Sequence, residues 1–319
     1  MSPLPTPRRL AGRTARALGL RRPDRRERRV VLHLGSQKTG TTAVQAWCRD
    51  HAADLARGGV AARTRQPDIR EALGGWYETS RDGADDLLAA YLAAPWRDRQ
   101  VRGVLYSCES NVGAAFRDDS RDLYPRLGPN LEAIERATAG SSRHVQFTVR
   151  SYGPFLESAY QQQLKHGHPS SFDALADRVA PTLSWRPVVT RLVEVFGAEN
   201  VTVYDYDRAR EADVPLVRQV LLDALHRLGA GDLDVVVDDG HRPNTRYTQR
   251  MADLSLATLP LLEGREEREA LHRFSVATLG RRPAPDDAPA RFLADDAAAG
   301  LADRYAADVA WLSRLVEVR

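Results

Sequence analysis

Short apolar runs alternate with longer amphipathic segments along most of this chain. Four runs rich in β-branched or aromatic residues predict buried strands, at 29–34, 101–107, 144–149 and 201–206. Helical spacing of apolar residues follows each of them, at 41–57, 123–139, 150 to about 165, 186–196 and 214–228. This alternation predicts an α/β fold, in which helices cover both faces of a parallel sheet.

The rest of the chain adds a helical portion and no second domain. The sequence pattern beyond about residue 245 predicts helices. Gly280 and the proline-rich stretch 283–289 interrupt them. The segment 63–86 predicts a loop-like insertion. No internal repeat or dividing linker is present. We therefore expect one α/β domain over 29–319, in which 245–319 forms a mostly helical extension.

The charge is distributed unevenly. Residues 1–29 contain ten arginines against Asp24 and Glu27, whereas the whole chain carries a net charge of +3. The remaining body is therefore mildly acidic, which argues against a specific nucleic-acid partner. We expect residues 1–28 to be a disordered basic tail. The alternative is an amphipathic helix that rests on anionic lipid.

Composition narrows the class of protein further. Cys48 and Cys108 are the two cysteines, which excludes a disulfide scaffold and a four-cysteine zinc site, and we interpret both as core thiols. The tail has no uninterrupted apolar stretch of the secretory kind. We expect a cytoplasmic protein. Peripheral attachment at the inner membrane face through the tail is the alternative.

The residues after the first predicted strand have the composition of an anion-binding loop. They are Gly35, Ser36, Gln37, Lys38, Thr39, Gly40, Thr41 and Thr42, and a predicted helix follows. Backbone N–H groups and the positive end of a helix dipole converge at such a turn, so it can hold an oxyanion. Gly35 and Gly40 have the GxxxxG spacing of a triphosphate-binding P-loop, but two threonines replace the Lys and Ser/Thr that come next in that motif.

The position of the lysine changes the expected ligand. Lys38 precedes Gly40 by two residues, so the lysine and the metal-binding hydroxyl of a triphosphate site are both misplaced. Thr41 and Thr42 can still hold one phosphate, and Lys38 can reach an oxygen that joins this phosphate to a second group. The loop therefore indicates a nucleotide with one 5′-phosphate and one further anionic group, with no metal required.

The run Lys38-Thr39-Gly40-Thr41-Thr42 resembles the 5′-phosphosulfate loop of sulfotransferases that use 3′-phosphoadenosine-5′-phosphosulfate (PAPS). Gln45 fits the continuation of this loop in the bacterial and carbohydrate-acting branch. The resemblance implies a three-layer, P-loop-like sheet, with PAPS as co-substrate and 3′,5′-adenosine bisphosphate as product. It covers residues 29 to about 206 and says little about 207–319.

A second motif of the same family lies at the end of the third predicted strand. Members bind the 3′-phosphate of the donor with an arginine at the strand end and a serine eight residues later, which Arg150 and Ser158 match. A guanidinium can bind a phosphate bidentately, and a hydroxyl on the helix adds a hydrogen bond. The Arg-Lys-Gly loop of the cytosolic branch is absent, and the segment 242–246 is our candidate for its replacement.

Transfer of a sulfuryl group to a hydroxyl requires a general base and a cation for the leaving phosphate oxygen. Glu109 follows the second predicted strand, and the resemblance supports it as the base because the family uses Glu or His there. An N-terminal helix residue that stabilises the dipole is the alternative for Glu109. The rival bases are the histidines His33, His51, His166 and His168. Lys38 is our candidate for the cation, and Lys165 is a candidate contact for an anionic acceptor.

The combined expectation is a PAPS-dependent sulfotransferase that acts on a hydroxyl acceptor. The resemblance favours a carbohydrate or glycolipid as the acceptor. One alternative is an atypical P-loop kinase, for which Asp205 or Asp207 would supply the acid at a strand end. Another is a non-catalytic nucleotide-binding protein whose arginine tail contacts membrane or nucleic acid.

Overall fold

The computed structural model describes residues 28–64, 84–117, 120–168, 170–236, 247–280 and 287–319. The basic tail predicted for 1–28 lies outside these residues except for Arg28. The candidate segment 242–246 and most of the insertion predicted at 63–86 also lie outside them.

A six-stranded sheet forms the centre of the described structure. Its strands are β1 (Arg29–His33), β2 (Val60–Thr64), β3 (Gly103–Ser107), β4 (Ser142–Val149), β5 (Val201–Asp205) and β6 (Glu317–Val318). Their order is β2-β3-β1-β4-β5-β6, and every neighbouring pair is parallel. The predicted α/β fold with a parallel sheet between layers of helices is therefore confirmed.

The α-helices of the described segments connect and cover the strands. They are α1 (Thr41–Asp50), α2 (Ala52–Arg57), α3 (Ala84–Ala93), α4 (Leu127–Ala137), α5 (Tyr152–Lys165), α6 (Phe172–Val179), α7 (Arg186–Phe196), α8 (Tyr206–Glu211), α9 (Leu216–Leu228), α10 (Gln249–Thr258), α11 (Arg265–Ser275) and α12 (Asp295–Leu312). Short 3-10 helices span Ala94–Arg97, Glu109–Val112, Ala198–Asn200 and Leu259–Leu261, and a π-helical turn spans Val276–Gly280. None of these helices is both long and apolar enough to cross a bilayer.

Alternating side chains of the sheet enter two separate cores. On one face Val31 packs with apolar residues of α1, α2 and α9. On the other face Val30 and Leu32 pack with a larger apolar cluster from α4, α5, α7 and α12. Successive side chains of a strand point to opposite faces, so a fully apolar run such as β1 requires cover on both sides.

The structure extends the predicted pattern at several places. Strands β2 and β6 and helices α3, α6 and α8 were not predicted from the sequence. The helix predicted over 41–57 is two helices, which separate at His51. The helical portion beyond 245 is present as α10, α11 and α12, but the chain then adds β6 beside β5.

The turn between β1 and α1 brings backbone and side chain into very close contact. Gly35 has a φ of +50°, and a Cβ built on it would lie 2.6 Å from Cγ2 of the buried Thr41. Glycine is therefore required both for the backbone conformation and for the space.

We expect Gly35→Ala to destabilise the fold by about 1–3 kcal/mol, because the new methyl group collides with Thr41 and the left-handed backbone is strained. Gly300→Ala is the matched control. Gly300 lies inside α12 with no atom within 4 Å of a new Cβ, so alanine there should stabilise the helix by about 0.5–1 kcal/mol. Urea unfolding of both variants measures the difference. Equal stabilities would contradict the close contact.

Two buried histidines occupy the sheet. His33 Nδ1 lies 2.8 Å from Ser107 Oγ, on the neighbouring strand. His144 Nε2 lies 3.0 Å from Thr202 Oγ1. Burial lowers the pKa of His33 to about 4, and burial together with the charge of Arg227 lowers the pKa of His144 to about 4.

A histidine with a lowered pKa in the folded state makes the protein less stable in acid, because the unfolded chain takes up a proton first. Each of the two should cost about 2 kcal/mol of unfolding free energy between pH 7 and pH 5. The loss begins near the unfolded pKa of about 6.5 and is complete below about 4. Unfolding titrations at several pH values test this. His144→Asn should flatten the dependence, and an unchanged slope in this variant would contradict it.

Candidate functional site

Three strand ends meet at one edge of the sheet. β1 lies between β3 and β4 and is parallel to both, so the segments that follow these strands emerge side by side. They carry the glycine-bounded loop, Glu109 and Arg150, respectively. Ligands of parallel sheets bind beyond the carboxyl ends of the strands, which makes this edge the candidate site.

The backbone of the loop has the form of an anion nest. Gly35, Lys38 and Gly40 all have positive φ angles, of 50°, 69° and 86°. Left-handed residues alternating with right-handed ones turn successive N–H groups toward one point, and α1 begins directly after Gly40. Lys38 adopts this conformation without being glycine, which is a strained arrangement typical of binding loops.

Hydroxyl groups line the same loop. Thr39 Oγ1 donates to the carbonyl oxygen of Ser36 at 2.7 Å and closes the turn. Ser36 Oγ is fully buried and has no hydrogen-bond partner among the described residues. Thr41 is buried at the first position of α1, whereas Thr42 is exposed. A buried hydroxyl without a partner costs free energy, and a bound oxyanion would recover it.

The side chain of Lys38 reaches across to α5. Its Nζ donates to Oε1 of Gln162, and Nε2 of Gln162 lies 2.8 Å from Nε2 of His166. The lysine is therefore held by a neutral amide, and this amide links the loop to the end of the helix that follows β4. The sequence carried no signal for Gln162.

Arg150 connects the two predicted phosphate sites directly. Its Nη1 donates to the carbonyl oxygen of Lys38 at 2.9 Å, and its guanidinium carbon lies 4.9 Å from the ring centroid of Tyr206. Its own carbonyl oxygen accepts a hydrogen bond of 2.8 Å from Trp185 Nε1 in the core. The side chain is only 6% exposed. The guanidinium thus lies against the loop. One hydrogen bond holds the side chain of Arg150 and another holds its backbone.

Ser158 lies on the same side of α5 as the residue that contacts Lys38. It precedes Gln162 by four residues, and residues four apart are neighbours on a helix surface. Ser158 is half-buried. Ser158 therefore lies on the face of α5 that carries the contact to Lys38.

Glu109 begins the 3-10 helix after β3 and lies close to α1. Its Oε2 accepts a hydrogen bond of 2.7 Å from Nε2 of Gln45, and the two residues are 6% and 5% exposed. The backbone N–H of Gln37 donates to the hydroxyl of Tyr124 at 3.3 Å. Burial raises the pKa of Tyr124, the hydrogen bond from Gln37 opposes this, and the nearby charge of Glu109 raises the pKa further.

The rival histidines occupy different surroundings. His33 is buried within the sheet and bonded to Ser107, which fits a structural role. His51 is half-buried and stacks on Trp47, with ring centroids 4.3 Å apart. His166 adjoins Gln162, and His168 is exposed. His166 is therefore the rival base with a contact to the site.

The remaining candidates are accounted for by packing. Cys48 and Cys108 are buried cysteines that form no disulfide, and burial raises the pKa of Cys48 to about 12. Lys165 lies beyond the loop contacts, with Nζ 5.4 Å from the ring centroid of Tyr247. Within the described segments, no group of three or more His, Cys, Asp and Glu side chains could hold a metal ion.

Comparisons with known proteins give one match. No family model matches the chain, and no curated protein sequence matches it. Among solved structures, the crystal structure of a sulfotransferase from Alicyclobacillus acidocaldarius is similar to it over 76% of this chain and 95% of that chain, with 16% identity and a TM-score of 0.40. A likeness of this degree assigns no function, so we infer the function from the geometry of the three strand ends.

Proposed function

We propose that this protein is a sulfotransferase that moves a sulfuryl group from PAPS to a hydroxyl acceptor. The observation that carries the proposal is the hydrogen bond between Arg150 Nη1 and the carbonyl oxygen of Lys38. It joins a strand-end arginine to a glycine-bounded anion loop on the adjacent strand. Two anion-binding elements at this spacing suit a nucleoside that carries phosphate at both its 5′ and 3′ positions.

The loop and Arg150 bind opposite ends of the donor. The N–H groups at 39–42 and the hydroxyls of Ser36 and Thr41 hold the 5′-phosphate at the start of α1. Arg150 and Ser158 hold the 3′-phosphate, whose charge is close to −2 at neutral pH and requires a cation. Stacking of Tyr206 against the guanidinium fixes its plane and favours one orientation of the bound phosphate.

Sulfuryl transfer then needs one proton acceptor and one cation. The acceptor hydroxyl attacks sulfur in line, and its new S–O bond forms as the bond between sulfur and the oxygen of the 5′-phosphate breaks. Glu109 takes the proton of the hydroxyl, and Gln45 holds one carboxylate oxygen in place. Lys38 neutralises the charge that develops on the departing phosphate oxygen. Gln162, which accepts a hydrogen bond from this lysine, is a neutral partner that the phosphate oxygen can replace.

The class of acceptor is proposed from the family resemblance alone. A carbohydrate or glycolipid hydroxyl is our proposed class. His166, at the end of α5, contacts Gln162 and is our candidate contact for this acceptor, with Lys165 preceding it in the chain.

The kinase alternative is disfavoured by the bonds of its candidate acids. Asp205 Oδ1 accepts hydrogen bonds from the N–H groups of Asp207 and Arg208 and from the hydroxyl of Tyr305. Asp207 Oδ2 accepts from the N–H of Ser151 at 2.6 Å. Both carboxylates thus fix the backbone around β5 and Arg150, which supports a metal-independent reaction.

Donor binding tests the proposal by isothermal titration calorimetry. 3′,5′-adenosine bisphosphate should bind without Mg²⁺ and more tightly than ATP with Mg²⁺. It should also bind about tenfold or more tightly than 5′-AMP, because only the bisphosphate reaches Arg150 and Ser158. A preference for ATP with Mg²⁺ would overturn the assignment.

Variants locate the 3′-phosphate in the same titration. Arg150→Gln should abolish the preference for the bisphosphate over 5′-AMP. Ser158→Ala should weaken the bisphosphate by up to about tenfold and leave 5′-AMP unchanged, because it removes one charge-assisted hydrogen bond. Ser313→Ala, at an exposed serine after α12, is the matched control and should change neither affinity.

The base is tested by transfer from radiolabelled PAPS to a panel of glycans and glycolipids. Glu109→Gln should keep bisphosphate binding and lose about 10²–10⁴-fold in turnover, because the amide cannot accept the proton. Glu132→Gln, at an exposed position of α4, controls for the loss of one charge. A wild-type rate in Glu109→Gln would transfer the base role to a histidine, with His166 the next to be replaced.

A further inference from the structure

A second polar cavity lies at the opposite edge of the sheet, where the strands begin. Its volume is about 460 Å³, and its charged and polar lining includes Arg29, Arg143, His144, Asp223, Arg227 and Arg319. β4 connects the two edges, because Arg143 follows its first residue and Arg150 follows its last. Eight residues at about 3.3 Å each separate the edges by roughly 25 Å, so the cavity is distinct from the candidate donor site.

Positive charge prevails in this cavity. Asp223 accepts hydrogen bonds from Gln146, Tyr204, Arg227 and Arg319, at 2.9 to 3.0 Å. Burial opposes its ionisation, but the hydrogen bonds from Arg227, Gln146 and Tyr204 outweigh burial and lower its pKa. The one carboxylate in the lining is therefore ionised, and four hydrogen-bond donors already contact it.

The other nearby carboxylates do not balance the arginines. Glu135 pairs with Arg143 at 2.7 Å, and Glu317 pairs with Arg319 at 2.8 Å. Together with Asp223, three carboxylates face four guanidinium groups. The lining also contains two histidines, His144 and His226. Burial and the charge of Arg227 lower the pKa of His144 to about 4, so His144 is neutral at neutral pH.

Several donors of these arginines are not used by the protein. The guanidinium of Arg29 forms no hydrogen bond or ion pair with any described residue, whereas its backbone N–H donates to the carbonyl oxygen of Arg102 at 3.3 Å. Its Nη1 lies against Gly229 at the carboxyl end of α9, where a Cβ would come within 2.7 Å of it. In the same part of the structure, Nη2 of Arg143, Nη1 of Arg227 and Nη2 of Arg319 also make no hydrogen bond. A guanidinium has five N–H donors, so each can serve a ligand while keeping its carboxylate.

We propose that this cavity binds a phosphomonoester dianion. Guanidinium groups match the oxygens of a phosphate in number and geometry, and an excess of arginine favours a dianion over a single carboxylate. The apolar part of the lining is limited to Val30 and Val31, so the cavity offers little apolar surface to the organic part of the ligand. A polar phosphomonoester, such as a sugar phosphate or a phospholipid headgroup, fits this lining.

The test measures binding of inorganic phosphate to the full-length chain by equilibrium dialysis. Arg29→Gln should raise the phosphate Kd of this site about tenfold, because it removes charge-assisted hydrogen bonds. Ser142→Glu places a carboxylate at the exposed rim and should weaken phosphate similarly. Arg250→Gln removes one exposed arginine from α10, which does not line the cavity, and should leave the Kd unchanged.

All three variants keep the loop at 35–42 and the tail, so a difference between Arg29→Gln and Arg250→Gln reports the cavity alone. Flotation with phosphatidylcholine vesicles, with and without phosphatidic acid, distinguishes the source of the phosphate. Weaker binding of free phosphate in Arg29→Gln and Ser142→Glu supports a soluble ligand. Weaker binding of phosphatidic acid vesicles alone supports a lipid headgroup. If both assays give Arg29→Gln the affinities of Arg250→Gln, the proposal is overturned, whatever happens at the donor site.

Discussion

The hydrogen bond from Arg150 to the carbonyl oxygen of Lys38 is the constraint on which the candidate site depends. A guanidinium at the end of β4 reaches the loop that follows β1 only because these strands are neighbours in the sheet. The carbonyl faces Arg150 because Lys38 adopts a left-handed backbone. From the other side, Trp185 in the core holds the backbone of Arg150. The contact therefore depends on the strained backbone of the loop, on the order of the strands and on the packing of Trp185.

The charged groups at this edge are held by neutral partners. An amide of Gln162 holds Lys38, an amide of Gln45 holds Glu109, and a backbone carbonyl holds Arg150. Each charge is thereby oriented without being neutralised by that partner. An incoming phosphate or acceptor then exchanges a neutral hydrogen bond for a charged one, which is the stronger interaction. These hydrogen bonds orient the groups before a ligand arrives.

Local sequence signals identified the strand ends but not the contacts between them. The loop and Arg150 stood out because glycine, hydroxyl and charged residues directly follow apolar runs, whereas Ser158 was singled out through the family resemblance. β2 was missed because its burial is partial, and β6 because it is only two residues long. Gln162 and Tyr206 could not be predicted, because a polar or aromatic side chain near a strand end has no distinguishing pattern until the sheet order brings it to the loop.

β4 relates the two edges of the sheet to each other. Gln146, in the middle of this strand, donates to Asp223 in the cavity, and its backbone carbonyl accepts from the N–H groups of Leu34 and Gly35 at the start of the loop. The same residue therefore contacts the carboxylate that organises the arginine cavity and the turn that forms the candidate anion nest. Because the parallel ladder fixes the register of β4 against β1, a ligand that tightens the cavity around Asp223 acts on a strand that also supports the loop. The two edges are proposed to bind different ligands, and β4 supports both of them.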